Sequence, residues 1–190
     1  MNKYLIIVFL LVLYSYTGFS QNFVHKDTIL SEHVSCGLGI GLEYANYGGH
    51  VIFFPQRNIG IFFSLGDAIV GVAYEVGLKL RLIANLNNII SPYLIGMYGY
   101  NFAAIVTNID SDYGYDLNRV NFGTTLGAGL DFRFKRNSNK YLSLAVLFPN
   151  VNKGVVNNYR NFLQQNYDES FSNTPSSVMV SIGFNIIIPY

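Results

Sequence analysis

Large apolar residues occupy every second position in four long stretches of the chain. Between residues 70 and 82 the even positions are Val, Val, Tyr, Val, Leu, Leu and Leu, whereas the odd positions are Gly, Ala, Glu, Gly, Lys and Arg. The same alternation runs through 34–44, 120–134 and 178–190. Because successive side chains of a strand point to opposite faces, each stretch predicts a strand with one apolar face and one small or charged face.

Four weaker segments, 49–55, 58–65, 92–105 and 140–148, bring the predicted strands to eight. The first two look shorter than the roughly 9–11 residues of a membrane-spanning strand. The pattern leaves the facing of 49–55 open, and 92–105 is apolar on both faces. In that segment we expect Tyr98, Tyr100 and Phe102 to point outward, since Gly99 and Asn101 suit an interior.

The predicted connections differ in length on the two sides. Those at 56–57, 83–88 and 135–139 are short, while the opposite side carries the two longest, 106–118 and 150–174. Within the connection 150–174, residues 155–167 can form a short helix. An even number of strands with short turns on one side and long loops on the other predicts an all-β fold, an eight-stranded antiparallel up-and-down transmembrane β-barrel.

Composition decides which face points outward. Charged residues make up only 12% of the chain and hydrophobic ones 51%, with 18 glycines, 15 tyrosines, 15 phenylalanines and no tryptophan. A solvated strand face is normally rich in charged residues, but here the second face is mostly Gly, Ala, Ser and Asn, which suits a narrow lumen. We therefore expect the apolar face to meet lipid.

The first segment is predicted to direct secretion of the chain. Residues 1–20 have a positive start at Lys3, an apolar run over 4–14 and small residues at Gly18 and Ser20, as in a secretory signal peptide. The apolar run is shorter than the roughly 20 residues of a membrane helix. We divide the chain into this signal peptide, a polar periplasmic lead-in over 21–33 and an outer-membrane barrel over 34–190.

The alternating stretches and the terminal aromatic resemble the small eight-stranded outer-membrane barrels of the OmpA/OmpX type, over residues 34–190. The resemblance implies a bacterial, Gram-negative outer-membrane protein in contact with outer-membrane lipid. It also implies an assembly signal for the barrel-assembly machinery at Phe184, Ile186, Ile188 and Tyr190. No peptidoglycan-binding domain follows the predicted barrel, so the cell-wall anchoring role of that family is not carried over.

Five charged residues fall on the predicted lumen face. We expect Glu75, Lys79, Arg81, Asp131 and Arg133 to form an ion-pair cluster near the periplasmic end, because buried charges must be paired. Such a cluster fixes the register and plugs the lumen. The alternative is that the same residues line an ion or proton path.

Candidate chemistry is sparse. Glu43, His50 and Ser64 fall near the outer ends of three adjacent predicted strands, the minimum for a base beside a hydroxyl. No metal site is predicted, because the three histidines lack a ligand spacing and the single cysteine, Cys36, excludes a cysteine-rich zinc site. The acidic loop at 107–118 lacks the calcium-binding pattern of an EF-hand and is interpreted as a solvated loop. The glycines of 37–41 lie inside a strand, which argues against a dinucleotide loop.

We therefore expect a protein with a structural or surface-interaction role through its long extracellular loops, without catalysis or cofactor, and with an extracellular or periplasmic protein as a conceivable partner. The net charge of +1 argues against nucleic-acid binding. Three alternatives stay open: a narrow ion or solute channel, an outer-membrane lipid-modifying hydrolase or acyltransferase, and a secreted soluble barrel that binds an apolar ligand.

Overall fold

The computed structural model describes residues 32–83, 85, 87–106, 117–136, 138–167 and 175–188. The signal-peptide prediction and most of the lead-in lie outside these residues. The strands are β1 Val34–Gly41, β2 Asn46–Gln56, β3 Ile59–Asp67, β4 Val72–Arg81, β5 Ile90–Ala104, β6 Arg119–Arg133, β7 Lys140–Pro149 and β8 Met179–Ile188. A single α-helix among the described residues, α1 Lys153–Tyr167, lies in the last long connection, where the sequence allowed one. Within the described ranges no helix is long and apolar enough to cross a membrane.

The strands form one closed sheet in chain order, each paired antiparallel with its neighbours, and β1 pairs with β8 to complete the barrel. The predicted eight-stranded up-and-down fold is confirmed. The short connections lie at one end, here called the turn end, which also holds the beginning of β1 and the end of β8. The opposite end, called the loop end, holds the two longest connections, those after β5 and after β7, and it holds α1.

The two faces of the sheet have opposite character. In β2, Phe53 is 51% exposed while its neighbour Phe54 is 2% exposed, and this alternation settles the facing of 49–55. Large apolar side chains cover the outside of every strand, and the buried polar side chains point into the lumen. Both β2, with 11 residues, and β3, with 9, are long enough to span, so the expectation that they would be short was wrong.

A β-bulge changes the facing of β5 near the loop end. Tyr98 is exposed as expected, but the register with β6 shifts between Tyr100 and Phe102, around Asn101. An extra residue moves every later side chain to the opposite face, so Phe102 turns inward and its predicted outward facing was wrong. Tyr100 keeps the outward register, opposite Phe122, yet it is only 7% exposed because it packs into the buried apolar cluster.

The connection between β1 and β2 folds into the lumen. β1 ends at Gly41, whose φ of 106° suits a residue without a side chain, and the 3₁₀ turn Leu42–Tyr44 follows. Residues 42–45, here called the plug turn, are all buried. The alternation over 34–44 predicted a first strand that continues to residue 44 with Leu42 pointing outward. That prediction was wrong because the chain leaves the sheet at Gly41.

Candidate functional site

Charged side chains from two strands, β4 and β6, converge in the turn-end half of the lumen. The Asp131 carboxylate lies 2.9 Å from Lys79 Nζ through Oδ1 and 3.1 Å from Arg81 through Oδ2. Ser143 Oγ donates a further hydrogen bond to Asp131 Oδ1 at 2.7 Å. All three charged side chains are at most 2% exposed, so each carries its charge into the interior with a partner.

Glu32 completes this group from the lead-in segment. Its carboxylate contacts Arg81 Nη1 at 2.5 Å and Arg133 Nη2 at 3.4 Å, and it is 6% exposed. Glu32 lies in the polar lead-in over 21–33, where the sequence pattern predicts no lumen residue. No periodic signal marks it, but two buried arginines facing one aspartate leave an excess of positive charge, which a nearby carboxylate neutralises.

Glu43 reaches the same group from the plug turn. Its carboxylate lies 3.3 Å from Lys79 Nζ and accepts a hydrogen bond from the Tyr93 hydroxyl at 2.8 Å. The ammonium of Lys79 also lies 3.7 Å from the centre of the Tyr93 ring, a cation–π distance. We call the six charged residues the ion-pair cluster: Glu32, Glu43, Lys79, Arg81, Asp131 and Arg133.

Glu75 lies apart from this cluster, against the expectation. It sits near the loop-end start of β4, opposite Ser64 and Gly99, and it is fully buried. Neither carboxylate oxygen has a hydrogen-bond partner among the described residues. The alternation of β4 correctly predicted that Glu75 points inward. It did not predict how far along the barrel axis Glu75 lies from Lys79 and Arg81, which are toward the other end of the strand.

The three weak catalytic candidates are neighbours inside the lumen, but they do not form a nucleophile and base. His50 pairs across the strands with Ser64, and His50 Nε2 lies 2.6 Å from Asn185 Oδ1. Ser64 Oγ instead donates to the backbone carbonyl of Glu43 at 2.7 Å. Each side chain is at most 3% exposed. His50 and Ser64 lie in the halves of β2 and β3 nearer the loop end, and Glu43 lies in the plug turn.

The network continues without a break between the middle of the lumen and its turn end. Asn185 Nδ2 donates to the Tyr44 hydroxyl at 3.0 Å and to Ser143 Oγ at 2.9 Å, and Ser143 leads to Asp131. The Tyr44 ring packs directly over Gly39 and Gly183, where any larger side chain would overlap it. Polar contacts, aromatic rings and the plug turn therefore fill this part of the barrel.

The remaining sequence candidates divide between the outer face and the undescribed residues. Phe184, Ile186 and Ile188 of the predicted assembly signal lie on the outside of β8, each at least 40% exposed. Tyr190 and the acidic loop 107–116 lie outside the described residues. Among the residues that are described, no group of three or more His, Cys, Asp or Glu side chains is arranged to hold a metal ion.

A closed, antiparallel, eight-stranded barrel that buries its charged side chains inside and exposes large apolar side chains outside has the fold of the small OmpA-like outer-membrane barrels that the sequence resembles. Comparison with solved structures gives one similar fold, the N-terminal β-barrel domain of Pseudomonas aeruginosa OprF. The two share 14% sequence identity with a TM-score of 0.46, over 82% of this chain and 96% of that domain. A scan against protein-family models and a search of curated proteins match nothing.

Proposed function

We propose that this chain is a bacterial outer-membrane β-barrel with a filled lumen, whose role is structural or in surface interaction through its loop end. One observation carries the proposal: the polarity of the barrel is reversed relative to a soluble protein. Arg81 is 2% exposed, while Leu126 on the outside of β6 is 67% exposed.

The reversed polarity favours lipid over water as the surroundings. Exposed apolar side chains occur on the outside of all eight strands and form a continuous band, whereas soluble monomers rarely expose patches beyond a few hundred Å². In hydrocarbon the same band needs no cover, and closure through the β1–β8 pairing leaves no strand edge unsatisfied. This also argues against a secreted barrel with an internal apolar ligand, because the described lumen is filled by the chain's own side chains, charged ones such as Arg81 and apolar ones such as Phe54 and Phe62.

The packed lumen argues against a channel. Five ion pairs and the buried side chains of Tyr93 and Tyr141 occupy its turn-end half. The plug turn folds into the lumen on the loop-end side of these groups, where the Glu43 carbonyl accepts a hydrogen bond from Ser64. Eight-stranded barrels have an interior just wide enough for side chains. We expect purified protein in planar bilayers to give no stable conductance, and a stable unit conductance would favour the channel alternative.

The loop end supports a surface role. Helix α1 packs Val156 and Leu163 against Phe102 and Leu117, so residues 153–167 of the last connection are packed against the loop end of the barrel. Loops held on a rigid scaffold are where binding residues tend to lie. With the termini at the turn end in the periplasm, α1 faces the exterior of the cell.

Location and architecture are tested together by membrane fractionation and gel mobility. We expect the protein to stay in washed outer membranes, and to migrate differently with and without boiling because a closed barrel resists detergent at room temperature. A protein that stays in the soluble fraction and shows no shift would overturn the proposal. The surface role is tested separately by replacing 153–167 with a Gly/Ser linker, which should preserve the shift while abolishing any surface interaction of the wild type.

A further inference from the structure

Two pairs of exposed aromatic rings mark the two borders of the outer apolar band. The rings of Tyr74 and Phe122 stack at the loop end with their centres 4.8 Å apart, and those of Phe134 and Phe184 lie 6.1 Å apart toward the turn end. Phe122 and Phe134 are separated by about 40 Å of strand, or about 30 Å along the axis of a barrel with tilted strands. This spacing suits an apolar band flanked by two aromatic girdles, so the Tyr74–Phe122 pair marks the level of the outer head groups.

Helix α1 begins next to this border. Val155 lines a crevice of about 40 Å³ together with Phe122 and Asn121 of β6. One turn further along the helix, the Tyr159 hydroxyl donates a hydrogen bond to the backbone carbonyl of Leu117. One side of α1 therefore lies beside the loop-end part of β6, where the lipid-facing surface of that strand ends.

The helix has more apolar surface than the barrel covers. Val156 and Leu163 are buried against the loop end, but Val155 and Phe162, each one residue earlier, remain 42% and 46% exposed. These two exposed residues are seven positions apart, two helical turns, so they lie on the same side of α1. The Phe162 ring stacks on Tyr159 with the centres 6.2 Å apart. We call Val155, Tyr159 and Phe162 the apolar strip.

The opposite side of α1 is polar without being acidic. Asn157, Asn161 and Gln164 are exposed there, and α1 contains no aspartate or glutamate that lipid phosphates would repel. An exposed apolar side next to a polar one is the pattern of helices that lie in a membrane interface. Such helices place their apolar side among the head groups and the upper acyl chains.

We propose that the apolar strip is embedded in the head-group region of the outer leaflet, so that α1 anchors the loop end to the lipid surface. At Val155 the strip continues the lipid-facing surface that ends at Tyr74 and Phe122, which favours lipid over a protein as its neighbour. The inference rests on the proposed outer-membrane function, which supplies the lipid. It deepens that function by naming lipid as the partner of α1.

The chain contains no tryptophan, so single-tryptophan variants report the surroundings of one position at a time. Phe162→Trp tests the strip, Gln164→Trp tests the polar side of the same helix, and Leu126→Trp tests the outside of β6. Each full-length variant is refolded into phosphatidylcholine vesicles whose acyl chains are unmodified, brominated near the head group or brominated near the chain end. Bromine quenches tryptophan fluorescence only at close contact.

We expect Phe162→Trp to be quenched at least twofold, more strongly by bromine near the head group than by bromine near the chain end. Leu126→Trp should be quenched at least twofold by bromine near the chain end, because it faces the interior of the bilayer. Gln164→Trp should keep most of its fluorescence in every vesicle. Val155→Trp should behave as Phe162→Trp does, and it covers the case in which Phe162→Trp fails to fold, as reported by the heat-dependent gel shift.

The controls separate failure of this inference from failure of the proposed function. If Leu126→Trp is quenched while the strip variants keep their fluorescence as Gln164→Trp does, the strip faces water or a protein. That result would overturn the anchor and leave the outer-membrane function standing. If Leu126→Trp is not quenched either, the barrel does not lie in the bilayer, and both the anchor and the proposed function are overturned.

Discussion

The two halves of the lumen handle buried charge differently. In the turn-end half, Lys79 and Arg81 of β4 are paired with Asp131 of β6, and Glu32 and Glu43 join them from outside the strands. In the loop-end half, Glu75 is buried opposite Ser64 and Gly99 with no hydrogen-bond partner among the described residues.

This difference shows that facing and pairing are separate properties of a lumen residue. The alternation of a strand places a carboxylate in the lumen whether or not a cationic side chain lies at the same level along the barrel axis. A paired group becomes costly only when its partner is removed, whereas an unpaired group is costly as it stands. Substitutions in the two halves should therefore change stability in opposite directions.

The largest effect is expected from Arg81→Ala. Because it leaves Glu32 without its closest partner and Asp131 with Lys79 alone, the free energy of unfolding should fall by about 3–5 kcal/mol. Urea unfolding of the refolded barrel measures this, and Arg57→Ala, at an exposed turn-end position, is the control. An unchanged unfolding midpoint for Arg81→Ala would show that the cluster does not stabilise the barrel.

A steric pair tests the packing around the plug turn. Gly183→Ala places a methyl group where the Tyr44 ring lies, so it should cost about 3 kcal/mol through overpacking. Gly96→Ala is the matched control, since its methyl points outward and meets the flexible end of Leu126 at 3.3 Å. Equal stability of the two variants in the same unfolding experiment would contradict the inward position of Tyr44.

A smaller loss is expected from Glu32→Gln, about 2 kcal/mol, because Arg81 keeps its contact with Asp131 while Arg133 loses its carboxylate partner. The temperature at which the gel shift occurs should fall accordingly. This variant also tests whether the lead-in is part of the folded barrel. A midpoint equal to the wild type would mean that Glu32 does not hold the two arginines.

The smallest effect, with the opposite sign, is expected from Glu75→Met. It replaces a buried carboxylate, which has no hydrogen-bond partner within the described part of the chain, by an apolar side chain of similar length, so stability should rise by about 1 kcal/mol. Measured beside Arg81→Ala, it completes the contrast between the halves. A large loss of stability would indicate that Glu75 does have a partner in the folded protein.

The strands, their order and most of their facing could be predicted, because a period of two is a local property that the residues of 70–82 or 120–134 carry by themselves. The bulge at Asn101 could not be predicted, because an extra residue does not change the hydrophobic pattern of a strand that is apolar on both faces. Nor could the plug turn, because Leu42 and Glu43 continue the alternation of β1 although the chain leaves the sheet at Gly41.

The candidate site was also predictable only for residues that lie on regular strands. Lys79, Arg81, Asp131 and Arg133 are alternation residues of regular strands, and the structure brings them together. Glu32 lies outside any strand and is held by its ion pair with Arg81. This contact exists only in the folded barrel, so no pattern in the sequence predicts it. The relative depth of Glu75 depends on how neighbouring strands are offset, which no single strand encodes.

The seam between the first and last strands has a consequence for how fast the molecule folds. Val34 pairs with Ile188, so the contacts that close the barrel join residues 154 positions apart in the chain. Until β8 arrives, the sheet has two free edges whose backbone groups lipid cannot satisfy. Contacts of such long range make folding slow. Closure should therefore be the late, rate-limiting event, and a chain truncated before β8 should remain a substrate for aggregation rather than a partial barrel.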